Sequence, residues 1–172
     1  MKALIAGAVV GLVAGLLGGV LQVVGSIPVL GCIVCLVTPL QWGLNWFLFP
    51  LAAGILAVML AKDSTSSIVD GLIQGVIAGL VYAIVAWLIG FVVGIALLII
   101  WRVIDIVLNA RNLNIGNQVM IVITGVLGNL IATAIGLATN LVTGLIFGAV
   151  GGAVGSFIFP AAPAVEKDVK AK

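Results

Sequence analysis

Residues 68–108 read IVDGLIQGVIAGLVYAIVAWLIGFVVGIALLIIWRVIDIVL. Between Asp70 and Arg102 this stretch carries no charge, and almost every residue in it is apolar. A helix needs about 20 apolar residues to cross a bilayer. One helix over the whole stretch would be about 60 Å long, twice the hydrocarbon thickness. It is therefore either a hairpin of two crossings or one helix that overshoots the membrane, and the choice sets the number of spans in the protein.

The rest of the chain is of the same kind. It has 172 residues, 64% of them apolar, with seven Lys or Arg and five Asp or Glu, no His, and a mean hydropathy of +1.46. Soluble domains carry about 25% charged residues, whereas 7% here can neither cover a globular surface nor track a phosphate backbone. Soluble enzymes, nucleic-acid binders and disordered chains are excluded together. The charges cluster at Lys2, at Lys62, Asp63 and Asp70, at Arg102, Asp105 and Arg111, and at Glu166, Lys167, Asp168, Lys170 and Lys172. An ionised group at the bilayer centre is costly, so these clusters mark where the chain meets water. They leave three uncharged stretches, 3–61, 71–101 and 112–165. Helices are the form such stretches take in lipid, which offers no partner to an unpaired backbone group.

The first crossing is Ala3–Val24, ended by Gly25, Ser26 and Pro28. Residues 25–42, broken by Pro28 and Pro39, read as an extracytoplasmic loop or a short re-entrant piece. Trp42, Trp46, Phe47 and Phe49 then form an aromatic group suited to the headgroup level. A second crossing runs from about Gly43 to Ala61. The polar turn Lys62–Ser67 precedes a helix with Asp70 in its first turn. Placing breaks near Gly90 and near Thr139-Asn140 gives crossings 70–89, 91–108, 118–138 and 140–159. The expected fold is thus all-α: one transmembrane bundle over 1–160, six spans favoured over four, with a charged mobile cytoplasmic tail over 161–172. Six spans put every basic residue on the cytoplasmic side of an inner membrane, as the positive-inside rule asks. Four spans leave Arg102 and Arg111 outside. Both arrangements make the two termini cytoplasmic. Against six, both proposed hairpins lack turn chemistry, and the i+4 row Gly128, Ala132, Gly136, Asn140, Gly144, Gly148, Gly152 and Ser156 runs through the second break.

The 23 glycines fall into register. Gly7, Gly11, Gly15 and Gly19 are spaced by four, as are Gly71, Gly75 and Gly79, and Gly144, Gly148 and Gly152. Residues four apart form one ridge of a helix, and without Cβ atoms the ridge becomes a groove that admits another backbone. Close van der Waals packing must do in lipid what hydrophobicity does in water. These rows are expected to pack helices as glycine zippers, within the chain, in a homo-oligomer or against other membrane subunits.

Few residues carry chemistry. Cys32-Ile33-Val34-Cys35 has the spacing of a redox pair or half a metal site. Two Cys and no His supply too few zinc ligands within one chain, and small apolar packing is the other role of such cysteines. Asn129, Thr133, Asn140 and Thr143 lie near one helix face and can either line a polar path or bond to neighbouring helices. Arg102 and Asp105, three apart, can pair beside Trp101 near the interface. No carboxylate lies deep in a span, which disfavours ion-coupled transport.

The run CIVCLVTPLQWGLNW, residues 32–46, resembles the active-site helix of the vitamin K epoxide reductase family. The resemblance implies electron transfer between Cys32/Cys35 and a membrane quinone, although the family's second cysteine pair is absent. Val29-Leu30-Gly31-Cys32 resembles a bacterial lipobox, which would make Cys32 a lipidated N-terminus, but Leu30 is too large for the pattern and the first span reads as retained. The order of features is similar to a family of small glycine-rich membrane proteins of bacteria and archaea that has no assigned function. The matching pieces are the first span, Ile27–Cys32 with a second Cys, Leu51–Leu60, Asp70-Gly71 and Gly148–Phe159. Residues 91–138 depart from it, being apolar where that family has a polar helical insertion.

The residues imply no cofactor and no metal. The expectation is a non-enzymatic structural or accessory membrane component whose partners are lipid, its own copies or other subunits, not nucleic acid. A small channel or permease lined by the Asn and Thr residues is the alternative, followed by a thiol-quinone oxidoreductase.

Overall fold

The structure, a computed structural model, describes residues 1–62, 65, 67–108 and 115–160. The expected tail over 161–172, and Asp63 and Arg111, lie outside the described residues. Among the described residues there are five α-helices: α1 (Lys2–Gly25), α2 (Pro28–Gly43), α3 (Phe49–Ala61), α4 (Ile68–Leu108) and α5 (Ile115–Ile158). A π-helical turn, Leu44–Leu48, joins α2 to α3 without a break. Among the described residues, four segments are long and apolar enough to cross a membrane: α1, Val34–Ala61, α4 and residues 119–158 of α5.

The six-span division is therefore replaced by four long helices. Both α4, of 41 residues, and α5, of 44, run unbroken through Gly90 and Thr139-Asn140. The reason is local: neither site has a Pro or a run of turn residues, and no glycine among the described residues adopts a positive φ. The segment 25–42 also differs from the expectation. It is helical from Pro28 onward, because Pro at the first helical position forfeits no hydrogen bond and Pro39 removes only one. The aromatic group consequently sits near the middle of the second long helix, not at its entrance. Trp42 stacks on Trp46 with centroids 5.7 Å apart, and Phe47 meets Phe147 of α5 edge to face at 4.8 Å.

Helix ends are set by ordinary caps. Ser67 and Asp70 form a reciprocal capping box at the start of α4, each accepting the other's backbone N–H at 3.1 Å. Ser26 closes α1 by donating its hydroxyl to the Val23 carbonyl, and buried Thr65 donates to the Ala61 carbonyl beyond α3.

The helices alternate in direction. Gly7, Gly11, Gly15 and Gly19 lie in turn against residues 78–81, 82–85, 89 and 93, so α1 and α4 are parallel. Gly71, Gly75 and Gly79 lie against Gly152, Gly148 and Gly144, so α4 and α5 are antiparallel. Residues 51–58 of α3 run parallel to 151–155 of α5. The start of α1, the end of α3, the start of α4 and the end of α5 thus share one end of the bundle, called here the terminal end.

At that end the packing is backbone on backbone. A Cβ at Gly79 would fall on the Gly144 carbonyl oxygen, one at Gly75 on that of Gly148, and one at Gly54 also on that of Gly148. Gly54, Gly151 and Gly155, which bring α3 onto α5, belong to no row read from the sequence. Ala6, Ala53, Ala57, Ala78 and Ala83 fill the same half, all fully buried. Toward the other end the spacing opens. Along α1 the nearest obstacle to a Cβ passes from the Ala78 carbonyl at Gly7 to the Val93 side chain, at 3.1 Å, at Gly19. At Gly90, Gly128 and Gly136 a Cβ would meet nothing within 4 Å.

Candidate functional site

Where the helices part, between the middle of the bundle and the far end of α1, they leave a half-open cavity of about 350 Å³. It is lined by α1, α2, the π turn, α4 and α5. Polar side chains reach it from each of these elements. α1 contributes Gln22 at the mouth, α2 contributes Gln41, and the π turn contributes Asn45. Tyr82 and Trp87 come from α4; Asn129, Thr133 and Asn140 come from α5 over about 16 Å of helix. Gly15, Gly18, Gly90, Gly94 and Gly136 border the same space, and Gly90 and Gly136 make room there, whereas Gly15 still packs against Ile89.

The floor is built by a proline. In the π turn the Phe49 N–H bonds to the Leu44 carbonyl, and in the same register the next donor, to the Asn45 carbonyl, would be residue 50. Residue 50 is Pro, with no N–H to give. The Tyr82 hydroxyl supplies the missing bond, donating to the Asn45 carbonyl at 2.6 Å from 37 residues away. Tyr82 is itself buried, 1% exposed, at the boundary between the close-packed half and the cavity. Higher up, the Trp87 indole N–H donates to the Thr133 carbonyl at 2.8 Å and ties α4 to α5. Phe91 stacks beside Trp87 with centroids 5.5 Å apart and planes 13° from parallel, and both rings line the cavity.

Among the described residues, the side-chain amides of Gln22, Gln41, Asn45, Asn129 and Asn140 make no hydrogen bond to protein. The hydroxyls behave differently. Thr133 donates to the Asn129 carbonyl at 2.6 Å and Thr143 to the Thr139 carbonyl at 3.0 Å, each within its own helix. Thr38, Thr124, Thr139 and Ser156 do the same. Of the four residues read as a polar face, Asn129, Thr133 and Asn140 line the cavity and Thr143 does not. Among the described residues, none of their side chains bonds to a neighbouring helix. Gln22, Gln41, Asn45, Tyr82 and Trp87 were missed, because they reach the cavity from other helices and only the fold brings them to Asn129.

The remaining sequence candidates lie elsewhere. Cys32 and Cys35 are free, exposed and on the first turns of α2, outside the cavity. Arg102 and Asp105 pair at 3.7 Å near the far end of α4, both partly exposed. No group of three or more His, Cys, Asp or Glu close enough to hold a metal occurs among the described residues. Comparison with known protein families, with curated proteins and with solved structures finds no match for this chain.

Proposed function

We propose that the protein is a non-enzymatic, four-span membrane protein that takes a small polar solute into its intramembrane cavity and lets it pass, a channel or permease. The observation that carries this reading is the set of five amides, drawn from four elements of the chain, with their hydrogen-bonding capacity unused by protein. An amide in a membrane interior seeks a partner, and side chains that served only helix association would have found one on a neighbouring helix. Glycine zippers hold the terminal half shut, α4 on α5 and α1 on α4, and the cavity opens on the other side. Of the described basic residues, Lys2 and Lys62 lie at the terminal end and Arg102 toward the other. The positive-inside bias then makes the terminal end cytoplasmic, in an inner membrane, and the cavity faces outward.

The test is solute flux in proteoliposomes of the purified protein, followed by stopped-flow light scattering. Uptake of small uncharged solutes above that of empty vesicles is expected, and Asn129→Leu and Asn140→Leu should abolish it. Flux equal to that of empty vesicles, or unchanged by both substitutions, rejects the proposal and returns the protein to a purely structural role in a larger assembly.

A further inference from the structure

Resting on the cavity reading above, we infer that the solute is a small uncharged polyol of monosaccharide size, held edge-on by side-chain amides against the Trp87 and Phe91 rings.

Three properties of the cavity lead there. The first is charge: no Asp, Glu, Lys or Arg is among its described lining residues. An ion or zwitterion carried this deep would leave its charges uncompensated at a cost of several kcal/mol each, so the ligand is neutral. The second is hydrogen-bonding pattern. Each amide offers an acceptor oxygen and two donor hydrogens. The five come from four directions: Gln22, Gln41, Asn45, and the pair Asn129 and Asn140 on α5. A hydroxyl both donates and accepts, so a ring or short chain bearing several hydroxyls can engage amides on every side, which a ligand with one polar edge cannot. The third is the aromatic wall. Trp87 and Phe91 lie nearly parallel, and the indole is held in place by its bond to the Thr133 carbonyl. A polyol ring carries C–H groups on its faces and hydroxyls at its rim, which matches rings on one wall and amides on the others. A volume of about 350 Å³ is at the lower end for ligand sites, which run from roughly 300 to 1,000 Å³. A monosaccharide-sized solute suits it.

The experiment is equilibrium binding to the intact protein in phospholipid nanodiscs, free of sugar-based detergent, read by intrinsic tryptophan fluorescence. The probes are D-glucose, myo-inositol, D-glucuronate as the charged counterpart and uracil as a flat uncharged amide. Glucose or myo-inositol should give a saturable change, with glucuronate and uracil at least about tenfold weaker. Asn129→Leu should weaken polyol binding by about tenfold or more. Gly136→Leu, at a site on the cavity wall where a Cβ would meet nothing within 4 Å, projects into the cavity without removing any amide and should abolish binding in a folded protein. Followed by equilibrium dialysis of radiolabelled polyol, because these variants remove the cavity's own fluorophore, Trp87→Leu should weaken binding by about tenfold, with most of the affinity kept in Trp87→Phe. Absence of any polyol response, or glucuronate or uracil binding as tightly as the polyols, overturns the inference. The two proposals fail separately: flux of other solutes with no polyol binding removes this one alone, and polyol binding with no flux removes only the transport reading.

Discussion

Pro50 and Tyr82 show how a single missing hydrogen shapes the site. Pro50 leaves the Asn45 carbonyl without a backbone donor, and Tyr82 supplies one from another helix. Tyr82→Phe keeps the ring and its packing but strands that carbonyl, and a loss of about 1–2 kcal/mol is expected in reversible detergent unfolding. Pro50→Ala restores an N–H at the position the carbonyl needs. The cost of Tyr82→Phe should therefore be smaller in the Pro50→Ala background, and a double-mutant cycle measures the difference. Strictly additive effects would show that the hydroxyl is not replacing the proline's missing donor. The cavity amides call for no titratable group, so solute binding should be flat between about pH 5 and 8, measured by the same fluorescence titration.

At the scale of elements, identical residues do opposite work along one helix. On α4, a side chain at Gly79 would run into the α5 backbone, whereas one at Gly90 meets nothing. Backbone cannot step aside as a rotamer can, so Gly79→Ala should destabilise by about 1–3 kcal/mol, and Gly90→Ala should stay within about 0.5 kcal/mol of the parent. Unfolding midpoints of the two variants check this, and equal losses would mean that the helices do not touch as described. The overshoot of α4 and α5 has its own consequence. With Gly19 opposite Val93, the end of α1 stands level with about residue 99 of α4, so the last turns of α4 and the first of α5 reach roughly 15 Å further. In a background lacking Cys32 and Cys35, Leu108→Cys should react with a membrane-impermeant maleimide added to intact cells, and Lys62→Cys only after permeabilisation. Labelling of both positions only after permeabilisation would restore the six-span topology, and the reverse pattern would invert the four-span orientation.

For the whole molecule, the division into a dry half and a polar half is the organising feature. The terminal half is Gly and Ala packed to the backbone, and the other half carries the amides, the aromatic pair and the glycines with open space beside them. The far ends of α4 and α5, by contrast, expose large apolar side chains such as Leu108 and Met120, at 76% and 61%. Lipid covers such a surface only as far as the hydrocarbon layer extends.

Much of this was written in the residues. Membrane insertion, all-helical structure and the separation of the crossings follow from 12 charges in four clusters, since transfer of charge into lipid is costly wherever the chain folds. The alignment of Gly71, Gly75 and Gly79 on one ridge likewise follows from helical periodicity alone. What periodicity cannot supply is a partner. That α4 and α5 pass unbroken through Gly90 and Asn140, that Gly54 meets Gly148, and that Gln22, Gln41 and Asn45 gather around Asn129 depend on which helices become neighbours. Those choices are made by packing between segments tens of residues apart, where each amide or glycine acquires a role only from the surface it faces.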